Sequence, residues 1–191
     1  MNILIIIIIL AGIILAFVYN RLVKFQVRTE EAWADIDVQL KRRYDLIPNL
    51  LETVKGYAQH ERVTLQEVID ARSKASSMSV DISSASVEQM QALAGAESSL
   101  NGALNKLFAL SENYPDLKAN ENFLELQREL SDTENKIQAA RRFFNATVKD
   151  LKTALQTFPT NMIASLFGFK DRNFFELPEN SVEREVVKVS F

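Results

Sequence analysis

The sequence predicts an all-α protein: an N-terminal transmembrane helix followed by a long-helix four-helix bundle with a short apolar C-terminal tail. Three observations carry this. No charged residue occurs from Ile3 to Tyr19. Beyond that run, apolar residues recur at three- and four-residue intervals over long stretches, which places them on one face of a helix. Only five Gly and four Pro occur in 191 residues, too few breakers for a turn-rich β-protein, while Ala, Leu, Glu, Gln and Lys recur throughout. The chain accordingly divides into an anchor over 1–20, a helical bundle over 21–159 and an aromatic-rich tail over 160–191.

The anchor rests on Ile3, Leu4, Ile5, Ile6, Ile7, Ile8, Ile9, Leu10, Ile13, Ile14, Leu15, Phe17, Val18 and Tyr19. As a helix the run from Ile3 to Tyr19 extends roughly 26 Å, just short of the hydrocarbon core of about 30 Å. Tyr19 and Asn20 then fall at a membrane interface, with Arg21 and Lys24 able to snorkel toward phosphates. A cleaved signal peptide would carry a basic leader and a small-residue cleavage site. Here only Met1 and Asn2 precede the apolar run. Arg21, Lys24 and Arg28 follow the span and no Lys or Arg precedes it, so the positive-inside bias places the N-terminus outside and the bulk of the chain in the cytoplasm, at the cell (inner) membrane.

The first bundle helix presents Leu22, Phe25, Thr29, Trp33, Ile36, Leu40, Tyr44 and Ile47 as a core stripe, continuing from the span without a breaker. Pro48 has no amide hydrogen, and its ring clashes with the preceding turn. It is expected to end or kink that helix and to begin a second one, whose stripe is Leu51, Val54, Ala58, Leu65, Val68 or Ile69, and Arg72. Seven serines between Ser73 and Ser86 read as a connecting loop with N-cap candidates. A third helix, from about Val87 to Glu112, buries Met90, Leu93, Leu100, Leu104, Leu107 and Phe108. Gly95 and Gly102, beside Ala92, Ala96, Ser99 and Ala103, make one flank small enough to expect another backbone close by. Asn113-Tyr114-Pro115-Asp116 has turn chemistry, and Asn120 is placed to cap a fourth helix that runs to Pro159 through Leu126, Leu130, Ile137, Phe144, Val148, Leu151 and Phe158. The tail crowds Phe167, Phe169, Phe174 and Phe175 together and ends on Phe191. These five aromatics are candidate interaction residues, either packed back on the bundle or forming a sticky surface.

Composition removes several functions. Twenty-two Lys and Arg against 25 Asp and Glu give a net charge of −3, which supplies no basic field for nucleic acid. With no Cys there is no disulfide, thiol nucleophile or thiolate metal site. His60 is the single histidine and Tyr57 stands three residues before it, so the paired Glu-x-x-His motif of a di-iron bundle is absent. Glu30, Glu31, Asp35 and Asp37 lie within two turns and offer the one candidate for a divalent-cation or acid/base site. Arg28, Lys41 and Arg42 on the same face favour a salt-bridged surface instead. Arg42 and Arg43 near Asp45 suit a bundle salt bridge or a lipid-facing patch, with structure the favoured reading.

Several words occur in order along the chain: Asp37-Val38-Gln39-Leu40-Lys41-Arg42-Arg43, Asp45-Leu46-Ile47-Pro48-Asn49-Leu50, Tyr114-Pro115-Asp116-Leu117-Lys118-Ala119-Asn120-Glu121-Asn122-Phe123, Ala140-Arg141-Arg142-Phe143, Phe167-Gly168-Phe169 and the ending Lys188-Val189-Ser190-Phe191. With the hydrophobic leader they make the whole chain resemble the LemA family, though Val187 stands where that family usually has proline. The resemblance implies a membrane-anchored helical-bundle protein of bacteria, and it speaks to fold more than to a reaction. The expected function is therefore a single-pass scaffold or assembly protein and not an enzyme. Its expected partners are membrane lipid, further copies of itself and other membrane or cytoplasmic proteins, with no cofactor, metal or nucleic acid. The alternatives are a membrane-stress or membrane-remodelling adaptor and a metal-dependent enzyme built on Glu30, Glu31 and Asp35.

Overall fold

A computed structural model describes residues 2–58 and 60–177. Helix α1 runs from Asn2 to Lys55, α2 from Arg62 to Ser76, α3 from Val87 to Ser111, α4 from Pro115 to Lys118, α5 from Glu121 to Gln156 and α6 from Thr160 to Phe167. No strand forms among the described residues. α1 lies along α5 and α2 against α3, and the four long elements bury their stripes against one another as the periodicity predicts.

At Pro48, where the helix was expected to end or kink and a second one to begin, α1 passes through the proline as one helix and ends at Lys55. A proline inside a helix leaves the carbonyl four residues back without its amide donor. That carbonyl belongs to Tyr44, and Arg72 Nε of α2 donates to it at 2.7 Å. A side chain from the neighbouring helix thus replaces the missing backbone bond. The reversal comes instead at Gly56–Glu61, where Tyr57 N and Ala58 N both donate to Val54 O. A double-mutant cycle checks the coupling. Arg72→Ala is expected to destabilise the protein by about 1.5–3 kcal/mol, the range for a hydrogen bond to a charged group. In a Pro48→Ala background the restored amide serves Tyr44 O, so the same change is expected to be clearly milder in denaturant melts.

The other helix starts follow their caps. Ser86 and Gln89 form a reciprocal capping box, with Gln89 N donating to Ser86 Oγ at 3.2 Å and Ser86 N to Gln89 Oε1 at 2.9 Å. Asn120 Oδ1 accepts from Phe123 N at 3.0 Å and opens α5. Gly168, at φ 72°, closes α6 in the left-handed conformation that glycine adopts without strain.

Gly95 and Gly102 do not mark a close backbone approach. A Cβ at either would meet nothing within 4 Å, and Ala92, Ser99 and Gly102 are exposed. The small flank is split: Ala96 and Ala103 are buried with Leu93, Ala94 and Leu100, while the edge with Ala92, Ser99 and Gly102 faces away from the bundle.

The core falls into two clusters along the bundle axis. The one farther from the apolar leader is built on Ile47, Leu50, Val54, Val68, Leu100, Leu107, Phe123 and Leu130. The nearer one joins Ile36, Leu40, Met90, Leu93, Ile137, Phe144, Val148 and Phe175. After α6 the chain turns back in extended form over the nearer cluster. Asn145 holds it there, accepting from Phe175 N at 2.9 Å and donating to Phe175 O at 3.2 Å.

Candidate functional site

Two regions stand out from an otherwise ordinary helical core. At the leader end, the residues from Ile3 to Phe17 are exposed, while Leu22 is fully buried. This stretch of α1 has a mean hydropathy of 2.9 over its most apolar eighteen-residue window, none of it buried against the rest of the protein. It is long and apolar enough to cross a membrane, and its exposure separates it from a soluble protein's core helix. Arg21 lies over the Phe25 ring and Arg28 over Phe143, so the first cations beyond the span stay close to the helix surface.

Tyr19, at the end of the run, meets the tail. Its ring stands edge-on to Phe167 at 4.9 Å and to Phe169 at 5.6 Å between centroids. The five tail aromatics expected to act together are thereby divided. Phe175 is core, 1% exposed, and packs on Trp33 at 5.7 Å. Phe174 is half-buried beneath the Lys152 ammonium. Phe169 is half-buried and Phe167 is 48% exposed, while Phe191 lies outside the described residues. Phe175 leaves the surface because the chain after Gly168 has a built path: Asn145 pins Phe175, Asn173 Nδ2 donates to Ala85 O at 2.8 Å, and Arg172 reaches Glu30 at 3.6 Å.

The second region is an interior charge cluster between the two apolar cores. Arg43 is 1% exposed. Its guanidinium contacts Glu97 of α3, donates to Asn101 Oδ1 at 2.7 Å and reaches Glu134 Oε2 of α5 at 2.7 Å. The Tyr44 hydroxyl also donates to Glu97. Three helices are thus tied at one level by one cation. Burial pulls the Arg43 guanidinium below its ordinary value, opposed chiefly by Glu134. Burial likewise pushes the Tyr44 phenol up to about 12, with Arg43 pulling the other way. A cleft of about 400 Å³, lined by Asn101, Phe108, Glu134, Asn135 and Gln138 among others, opens beside the cluster and gives Glu134 access to water. The sequence reading placed Arg43 in a bundle salt bridge or on lipid, with Asp45 as its neighbour, and did not single out Glu97, Asn101 or Glu134. The signal was present: Glu97 interrupts the stripe between Leu93 and Leu100, and Glu134 sits between Leu130 and Ile137.

The acidic group on α1 has a different character. Glu30 takes the Arg172 guanidinium and accepts from Gln26 Nε2 at 3.0 Å, while Glu31, Asp35 and Asp37 are exposed. Among the described residues no three His, Cys, Asp or Glu side chains are grouped so as to hold a metal ion. Trp33, expected as a core aromatic, packs on Phe144 at 5.3 Å. His60 lies exposed in the turn between α1 and α2.

The helical chain, its apolar leader and this packing can be set beside known proteins. The LemA family model matches residues 32–191, most of the chain. The chain belongs to the LemA family. Protein LemA of Metamycoplasma hominis is 32% identical over 178 residues, which cover 91% of this chain and 77% of that protein. Magnetosome protein MamQ of Magnetospirillum gryphiswaldense is 25% identical over 175 residues, covering 82% of this chain. Magnetosome protein MamQ 2 of Paramagnetospirillum magneticum is 24% identical and covers 83%. The chain spans 64% of the length of each of these two MamQ proteins. The words that carry the LemA resemblance serve the packing. Ile47 and Leu50 are fully buried on either side of Pro48. Tyr114 donates to Glu61 at 2.9 Å, Pro115 opens α4 and Asn120 caps α5. Arg141 stacks over Phe175 at 4.5 Å. The ending Lys188-Val189-Ser190-Phe191 lies outside the described residues.

Proposed function

We propose that this LemA-family chain is a single-pass membrane scaffold: α1 crosses the bilayer and holds the bundle rigidly beneath it, where the bundle assembles with further copies or with a partner. The observation that carries the reading is the continuity of α1. One helix of 54 residues, roughly 81 Å long, contains the apolar run and also supplies Leu22, Ile36, Leu40, Ile47 and Val54 to the core. An anchor that is itself a core element transmits position and tilt to the domain, whereas a flexible linker would leave the domain free to reorient. Self-association through the exposed isoleucine-rich span belongs to the same reading, since a short span accommodates a thicker bilayer by associating. The tail contributes less to it than its composition suggests, because the bundle uses Phe175 and most of Phe174. The chemistry found in the bundle, a charge cluster enclosed between helices and Glu30 of α1 engaged with Arg172, favours a structural role over a catalytic one. That two of the relatives are named magnetosome proteins associates the family with a cellular structure and with no stated reaction.

The positive-inside bias of Arg21, Lys24 and Arg28 puts the bundle in the cytoplasm. The protein has no native Cys, so Ser77→Cys, at an exposed position, provides a single reporter thiol. Labelling in intact cells by an impermeant reagent is expected only after the membrane is opened, and sizing in mild detergent is expected to give a mass above that of one chain. Labelling from outside would reverse the topology. A monomer that captures no partner would remove the scaffold.

A further inference from the structure

Among the described residues the outward face of α6 has no partner, and its position says what covers it. Phe158, Met162 and Leu166 follow one another at four-residue spacing and are 78%, 64% and 72% exposed, with Phe167 beside them at 48%. The opposite face of the same short helix is closed: Ala164 is buried and Ile163 half-buried against the bundle. Met162, Leu166 and Phe167 on a helix whose back is packed, with Phe158 exposed in the turn just before it, form the kind of apolar patch that marks a contact surface.

The register of the bundle locates this patch. α1 and α5 run antiparallel, with Arg43 opposite Glu134 and Trp33 opposite Phe144. Continued at the same rate in both directions, this pairing brings Phe158 level with Tyr19. The ring contacts of Tyr19 with Phe167 and Phe169 fix the other end of α6 at the same height. Tyr19 closes the apolar run, where a spanning helix leaves the hydrocarbon. The apolar face of α6 is therefore continuous with the exposed surface of the span and sits at its end. Just behind it, on the bundle side, stand Arg21 and Lys24 on α1, Lys149 on α5, and Lys170, all exposed. That order, apolar tip and then cations, matches acyl chains followed by phosphates.

We propose that α6 is an interfacial helix, seated with Phe158, Met162, Leu166 and Phe167 in the headgroup–acyl boundary of the leaflet from which α1 emerges. The proposal rests on the membrane-anchored reading above and adds a second point of attachment. A single spanning helix, however firmly it is joined to the bundle, can still rotate about its own axis in the bilayer. A second contact beside Tyr19 fixes its face toward the lipid. Such helices insert their apolar side by about 5–10 Å, a depth that the side chains alone can supply here.

The absence of native Cys allows a single environment-sensitive fluorophore to be placed on the full chain at Leu166→Cys, Met162→Cys, Ile8→Cys or Ser131→Cys, each reconstituted in phosphatidylcholine–phosphatidylglycerol vesicles. The vesicles carry nitroxide quenchers either just below the headgroups or deep in the acyl chains. The Ile8 probe is expected to lose most emission to the deep quencher. The Leu166 and Met162 probes are expected to lose more to the shallow quencher than to the deep one. The exposed Ser131 probe, toward the far end of the bundle, is expected to lose emission to neither. Quenching at Ile8 with none at either Leu166 or Met162 overturns the interfacial helix while leaving the anchor standing. No quenching at Ile8 overturns the anchored reading itself. Blue-shifted but unquenched emission at Leu166 and Met162 that grows with protein density assigns the patch to a second copy of the chain and also overturns the proposal.

Discussion

Arg43→Ala is expected to destabilise the bundle by about 3–5 kcal/mol, the range for removing one partner from a buried ion pair. The guanidinium is 2% exposed, and the Glu97 side chain facing it 4%. Without the cation, Glu97 is left buried between two apolar cores with only the Tyr44 hydroxyl to support its charge. Glu134, at 27% exposure, recovers much of its solvation through the adjoining cleft, so the effect is expected to arise mainly at Glu97. The triple variant Arg43→Met, Glu97→Leu, Glu134→Leu separates the desolvation of a lone charge from any need for the charges themselves. It removes all three ions at once and is expected to recover most of the loss, because a well-packed apolar replacement of a buried charge group is often neutral or stabilising. Denaturant melts of the parent and the two variants measure this. An Arg43→Ala variant as stable as the parent would mean that the cluster is solvated and does not tie the helices together. A triple variant that melts cooperatively but loses the oligomer or partner would assign the cluster to the specificity of assembly.

Deleting residues 1–20 is expected to abolish alkali-resistant membrane association while leaving a strongly helical chain. Burial begins at Leu22 and the two apolar cores take nothing from the first twenty residues. Among the described residues, the ring contacts of Tyr19 with Phe167 and Phe169 are lost, at the edge of the folded part. A short interfacial contact of a few side chains gives at most reversible binding, so any residual association is expected to wash off. Fractionation and circular dichroism together report the outcome. Membrane association that survives an alkaline wash would place the anchor elsewhere, and loss of helicity would show that the span nucleates the bundle.

Much of the fold was legible because helical periodicity is a local property. Leu22, Ile36, Leu40, Ile47, Leu100, Leu107, Ile137, Phe144, Val148 and Leu151 were all placed on buried stripes from spacing alone, and all are 1% exposed or less except Leu40 at 4% and Ile137 at 2%. The cap at Asn120 and the serine-rich connection before α3 were legible for the same reason, since capping is chemistry over three or four residues. The second helix expected to begin at Pro48 did not form there because the local rule is sound but incomplete. It counts the lost hydrogen bond and cannot count Arg72, which approaches from another helix to restore it. The glycines of α3 failed differently: small residues permit close approach, and only the packing shows whether anything approaches.

By itself, then, the sequence determined that this protein is a set of amphipathic helices behind one apolar span, because both patterns are written in residue-to-residue spacing. Which helix face meets which was decided only in three dimensions. Arg43, Glu97 and Glu134 lie on three helices, and nothing in their spacing along the chain connects them. They become one buried cluster only when α1, α3 and α5 are brought together, since an ion pair depends on distance in space and not along the chain. The tail followed the same rule. Its aromatics are alike in sequence, but Phe175 entered the core because Asn145 holds its backbone, while Phe158, Met162 and Leu166 were left outward beside the end of the span.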